Sequence, residues 1–210
     1  MSDTITFYHN PMSRGRMVHW MLEEVGAPYE VKLVDFSKGE HKAPAFTALN
    51  PMGKLPTIVH KGVVITEVGA IITYLADAFP AAGLSPAVND PKRGVFLRWM
   101  FFGSGCVDPA LIDKMFSRPA PERPGAIGYG SFDDTINAIT GAIEPGPYLL
   151  GDTFSAADLY ISAQLGWGAF MKTFQPSPTV GAYVERCRNR PAMQRMMAQG
   201  EEFSKRLQAA

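Results

Sequence analysis

The sequence predicts an α/β domain over residues 1–82, a linker at 83–90, and an all-α domain over residues 91–210. Three observations carry this. Every stretch with strand-like alternation falls within the first seventy residues, no convincing strand pair appears beyond the linker, and "LSPAVNDP" (84–91) is turn-rich between two apolar flanks. A chain of 210 residues is long enough for one or two domains, each with its own core.

Residues 4–8, Thr-Ile-Thr-Phe-Tyr, alternate as a strand, and Asn10-Pro11 punctuates them. Met17, Val18, Met21, Leu22 and Val25 then fall at helical spacing, and Gly26 ends that helix. Tyr29–Val34 is a second strand. Strand, helix and strand so close in sequence imply a right-handed crossover in one sheet. A polar connection, 35–49, leads to two β-branched runs, 57–60 and 63–66, joined by Lys61-Gly62 and read as a hairpin at a sheet edge. Pro56 has no amide donor, which a strand tolerates at its first position. Val68, Ile71, Ile72, Leu75 and Phe79 mark a further helix that Pro80 stops.

Beyond the linker, residues 95–115, 132–143, 179–189 and 191–207 carry helical patterns, and the Pro/Gly-rich 118–130 segment is a loop. "FSAAD" (154–158) opens another helix, with Ser155 as N-cap, Asp158 as its capping-box partner, and Phe154 against Leu159 as a staple. That motif is folding chemistry.

The chain is 46% apolar and 19% charged, and twenty basic residues balance twenty acidic ones. Such a balance gives no electrostatic case for nucleic acid or a membrane surface as partner. No basic leader with a long apolar segment and no run of eighteen apolar residues occurs, so a cytoplasmic protein is expected. Cys106 and Cys187 stand far apart in no metal-like spacing, so neither a disulfide framework nor a metal site is expected, and each is read as a small buried apolar residue.

The turn "HNPMSRGRM" (9–17) is where a strand hands over to a helix N-terminus, a place that favours an anion. Ser13 is the candidate donor to a thiolate, with Asn10, Arg14 and Tyr8 as alternatives; as a plain N-cap it needs no such role. Glu67 opens a helix, where a carboxylate either caps or holds a substrate ammonium. His41, Lys42 and Lys54 are solvated charges taken singly. Grouped, Ser13, Leu55 and Glu67 fall at one end of the small sheet if the topology above holds. A zwitterionic peptide with a thiol fits that set.

"GEHKAPAFTALNPMGKLP" (39–56), "ITEVGAIITYLAD" (65–77) and "LLGDTFSAADLYI" (149–161) together resemble a cytosolic glutathione transferase over essentially the whole chain. The resemblance implies a thioredoxin-like N-terminal domain plus an all-α C-terminal domain, a homodimer, and glutathione as co-substrate. It implies a cis proline at Pro56, which frees the Leu55 backbone for the cysteinyl part of glutathione. His41 and Lys42 would approach the glycyl carboxylate, Lys54 would stand in the usual Gln or Lys position, and Glu67 would hold the γ-glutamyl end. Val68 stands where the family commonly has Ser, so only its amide is left for the γ-glutamyl carboxylate. Ser13 falls one residue later than the serine of similar phi and theta enzymes, whose aligned place is Met12. The absence of cysteine from this turn argues against the beta and omega patterns.

The implied reaction adds the glutathione thiolate to a small hydrophobic electrophile in a detoxification role. A thiol of pKa about 8.5 is mostly protonated at pH 7, and lowering it by about two units needs roughly 2.7 kcal/mol. One hydrogen bond to a charged group contributes about 1.5 to 3 kcal/mol. The electrophile pocket is expected between the domains, with Met12, Phe102, Cys106, Trp167 and Phe170 as its wall. Two alternatives share the fold: a noncatalytic binding or scaffold module, and a glutathione-dependent reductase, lyase or dehalogenase.

Overall fold

The computed structural model describes residues 3–120 and 122–209. Two compact units are present: Met1–Ala82 with Arg190–Ala210, and Gly83–Asn189.

The first unit is built on a four-stranded sheet of order β2-β1-β3-β4. β1 (Ile5–His9) and β2 (Tyr29–Leu33) run parallel, in register from Ile5–Tyr29 to His9–Leu33. α1 (Gly15–Val25) connects them, and Gly26 closes it at φ 64° with its amide on the Leu22 carbonyl. β3 (Thr57–His60) lies antiparallel to β1, and β4 (Val63–Thr66) completes a hairpin with it. Both hairpin turn residues, Lys61 (φ 52°) and Gly62 (φ 81°), have the positive φ that a tight two-residue turn demands.

The sheet's two faces are covered differently. Phe7 and His9 face α1, where Phe7 lies 6.0 Å from the His19 ring, while Tyr8 on the other face packs against Phe46 of α2 (Pro44–Thr47). α3 (Val68–Ala78) packs on α1 and buries Ile71, Ile72 and Leu75 completely. Each such side chain contributes about 1.5–3 kcal/mol through removal from water.

The sequence expectation placed 91–210 in one helical domain, but α9 (Pro191–Ala209) packs on α1 and so belongs to the first unit. Arg190 holds Glu24 through two hydrogen bonds of 2.7 and 2.8 Å, and Arg195 holds Glu23 at 2.7 Å. Periodicity marks a helix's apolar stripe without saying which partner it meets.

The second unit is helical: α4 (Lys92–Phe102), α5 (Asp108–Met115), α6 (Phe132–Ile143), α7 (Ala156–Phe170) and α8 (Pro178–Arg188). A π-helical segment, Gly103–Val107, joins α4 to α5, where a Cβ on Gly103 would sit 2.6 Å from the Tyr160 ring. The continuous Lys92–Met115 run is long and apolar enough to cross a membrane by length and composition alone. Here its Phe96, Trp99, Met100, Val107 and Leu111 are buried within the unit. The Ser155–Asp158 capping box is formed, and the Asp158 carboxylate also accepts from the Leu149 amide and the Tyr183 hydroxyl. Burial pushes that carboxyl above its ordinary range, against these hydrogen bonds. Residue 121 of the predicted 118–130 loop lies outside the described residues, and the loop includes a short 3-10 turn at Pro124–Ala126.

Candidate functional site

Strand register gathers the candidate residues at one end of the sheet. Tyr8 pairs with Thr57, and Thr57 with Thr66. The end of β1, the start of β3 and the end of β4 are therefore level, so the turn at 10–14, the Leu55–Pro56 segment and Glu67 emerge from the same sheet edge. α1 and α3 both begin at this end, so their positive dipole ends converge there. The Leu55–Pro56 peptide bond is cis. Leu55 is buried with Val34 and Phe46, and Tyr8 packs against that cluster.

In the first turn, Asn10 is buried and bridges two segments: its Nδ2 donates to the Val34 carbonyl and its Oδ1 accepts from the Met12 amide. The Ser13 hydroxyl donates to the Asn10 carbonyl at 2.7 Å and accepts from the Gly15 amide at 3.0 Å. Its single proton is therefore committed inside the turn, the geometry of a local cap. Gly15 is required here, because a Cβ on it would lie 2.5 Å from His9 Nδ1 and 2.8 Å from Ser13 Oγ. Arg14 is exposed at the N-cap position of α1.

The second turn repeats the first. Asn50 is buried, its Oδ1 accepts from the Met52 amide, and its Nδ2 donates to the Lys54 carbonyl at 2.9 Å. Gly53, at φ 58°, lets the Lys42 side chain cross close by, and Lys42 Nζ donates to the Met52 carbonyl at 2.9 Å. His41 is half-buried, edge-on to Phe36 at 5.0 Å, and Lys54 is exposed. Neither Asn50 nor Gly53 was singled out from the sequence. The signal that finds them is the repeated tripeptide Asn-Pro-Met at 10–12 and 50–52.

Glu67 is exposed and sits at φ 68°, ψ 122°, outside the common regions for a non-glycine residue. It precedes α3 yet makes no capping hydrogen bond, so the capping role does not account for it. Strain of this kind costs about 1–3 kcal/mol and collects at functional positions. Val68 is buried, at 9% exposure.

Of the proposed electrophile wall, Met12 in the first unit is 86% exposed, and Phe170 in the second is 79% exposed. Phe102, Cys106 and Trp167 are half-buried in the second unit, so none of the five is plain core. The expectation that both cysteines are buried holds for Cys187 but not for Cys106, whose π-helical segment leaves it part-exposed with Sγ 3.7 Å from the Gly128 carbonyl.

Comparisons with known proteins agree on one family. Residues 3–77 match the family model described as the glutathione S-transferase N-terminal domain. A glutathione S-transferase of Drosophila melanogaster is 28% identical over 98% of this chain and 96% of its own length. A crystallised glutathione transferase from Methylococcus capsulatus is 30% identical, with a TM-score of 0.78 over 94% of this chain and 98% of its own. A sphingomonad glutathione S-transferase, solved in complex with glutathione, is 26% identical with a TM-score of 0.77 over 93% of this chain and 98% of its own. The identity, coverage and shared thioredoxin-like-plus-helical architecture place this chain in the glutathione S-transferase family.

Proposed function

We propose that this protein binds glutathione and transfers its thiolate to small hydrophobic electrophiles. The observation that carries the reading is the level arrangement of the Ser13 turn, the Leu55–Pro56 segment and the strained Glu67 around two helix N-termini. Glutathione presents a carboxylate at each end, an ammonium and a thiol. The exposed Glu67 carboxylate suits the ammonium, the Val68 amide at the start of α3 suits the γ-glutamyl carboxylate, and His41, Lys42 and Lys54 suit the glycyl end. The sphingomonad relative solved with glutathione supports that ligand. Among the candidate donors, Asn10 is committed to the turn and the Tyr8 ring to the apolar cluster, which leaves Ser13 after rotation, the exposed Arg14, or the α1 N-terminus itself, to stabilise the thiolate. Met12, Phe102, Cys106, Trp167 and Phe170 remain the proposed electrophile wall, and a cytoplasmic homodimer remains part of the proposal.

A noncatalytic binding module is favoured by one observation: the Ser13 proton points at the Asn10 carbonyl. Retention on immobilised glutathione together with turnover of an aryl halide supports the transferase. Retention without turnover of aryl halide, disulfide or haloalkane supports the binding module, and turnover of only the latter two supports the reductase or dehalogenase alternative.

A further inference from the structure

Beneath α9 lie two histidines that the glutathione reading does not use. His9 and His19 have no exposed surface, and their rings are 5.4 Å apart. His9 stacks on Phe7 at 4.7 Å, and Phe203 of α9 lies 6.1 Å from His9 and 5.4 Å from His19.

The hydrogen-bond network fixes the state of His19. Glu23 Oε1 accepts from the Tyr29 hydroxyl at 2.7 Å and from Gln199 Nε2 at 3.1 Å. A carboxylate only accepts, so the Gln199 amide nitrogen faces Glu23 and its Oε1 faces His19 Nε2 at 2.7 Å. Nε2 therefore carries the ring proton, and Nδ1 is a bare acceptor. Among the described residues, His19 Nδ1 and both nitrogens of His9 are buried without a hydrogen-bond partner. A cavity of about 240 Å³ is lined by the two histidines together with Met12, Arg16, Met196 and Glu201 among others. The three nitrogens expose almost no surface to it.

We propose that α9 is an acid-releasable strap: it docks on α1 and β1 only while His9 and His19 are neutral, and protonation of the two imidazoles frees it. A charged imidazole needs an acceptor at each ring nitrogen, and of the four only His19 Nε2 faces any, Gln199 Oε1 and the Tyr29 hydroxyl oxygen. The charges facing the pair are Arg16 and Glu23 on α1 and Arg195 and Glu201 on α9, with the Tyr29 hydroxyl on β2. Burial, then His19 and Arg16, hold His9 down at about 3, and burial holds His19 below its ordinary value against Gln199 and Glu23. The sign follows: docking is at full strength above the ordinary histidine value near 6.5 and weakens as pH falls below it, toward the docked value of about 3. Glu23 is pushed up by burial but held below its ordinary range by Tyr29, Arg195 and Gln199, so it stays charged between pH 8 and pH 5.5.

Hydrogen exchange of the native protein between pH 8 and pH 5.5, corrected for intrinsic rates, tests this. The opening constant of α9 amides is expected to rise up to roughly a hundredfold, about tenfold per histidine, while the second unit, whose sequence contains no histidine, holds its protection. His9→Phe and His19→Phe should each halve the pH slope. A flat α9 profile, an equal loss of protection throughout the chain, or variants that keep the full slope would overturn the proposal. If the variants do not fold, imidazole ¹⁵N shifts of the native protein decide: charged rings beneath a still-protected α9 at pH 5.5 overturn it, and neutral rings under docked α9 that charge only in the open form support it. None of these readouts involves glutathione.

Discussion

The same tripeptide, Asn-Pro-Met, makes the same turn twice, at 10–12 and 50–52, and leads to opposite outcomes. In both, a buried asparagine folds its Oδ1 back onto the amide two residues on and uses its Nδ2 to fasten a carbonyl. The first turn fastens Val34, the residue after β2 and 24 residues away, and enters a helix. The second fastens nearby groups, the Lys54 carbonyl four residues on and the Thr57 hydroxyl seven residues on, and enters a strand. The difference lies in the next residue. Ser13 keeps the chain turning through two hydroxyl hydrogen bonds, whereas Gly53 takes a positive φ and redirects it. A local motif can thus set a turn while the following residue selects the element that leaves it.

The largest expected effect is at that selecting position. Gly53→Ala places a Cβ 2.6 Å from the His41 carbonyl oxygen at a φ that side chains disfavour, and should cost about 3 kcal/mol by denaturant unfolding. A cost below about 1 kcal/mol would mean that the second turn does not depend on its glycine. Next come the asparagines. Asn10→Ala and Asn50→Ala each leave a carbonyl and an amide without the asparagine partner, at about 2 kcal/mol apiece. Asn10→Ala should also raise the exchange of amides at the end of β2, which Asn50→Ala leaves alone; equal effects there would remove the contrast between long-range and local fastening.

Ser13→Ala should cost about 1 kcal/mol as the loss of a cap. If the hydroxyl also rotates toward a bound thiol, the same variant raises the pH midpoint of thiolate absorbance in the glutathione complex by about one to two units. An unmoved midpoint assigns Ser13 to the turn alone and leaves thiolate stabilisation to the α1 N-terminus or Arg14. The smallest stability effect belongs to Glu67→Gln, within about 0.5 kcal/mol because the side chain is exposed and caps nothing. Its glutathione affinity should nevertheless fall about tenfold, as expected for an ammonium contact reduced to a neutral one. A variant that melts early and binds normally would make Glu67 structural.

The strands, the hairpin with its Lys61-Gly62 turn, the helices at 15–25, 68–78 and 132–143, and the Ser155–Asp158 box were legible because each is set by neighbours within a few residues. So was the convergence of Ser13, Leu55 and Glu67, which follows from strand order once the hairpin is placed against β1. What the sequence could not decide is what meets what. α9 carries an apolar stripe that reads the same whichever unit it covers, and only the packed structure sets it on α1, with Gln199 on His19 and Phe203 against the two rings. The Ser13 proton likewise has several acceptors within reach of a free turn, and the closed turn directs it to the Asn10 carbonyl. The physical reason is one of range: turn chemistry and periodicity act over a few residues, whereas burial, tautomer and hydrogen-bond direction are fixed by groups far apart in the chain, 180 residues apart for His19 and Gln199.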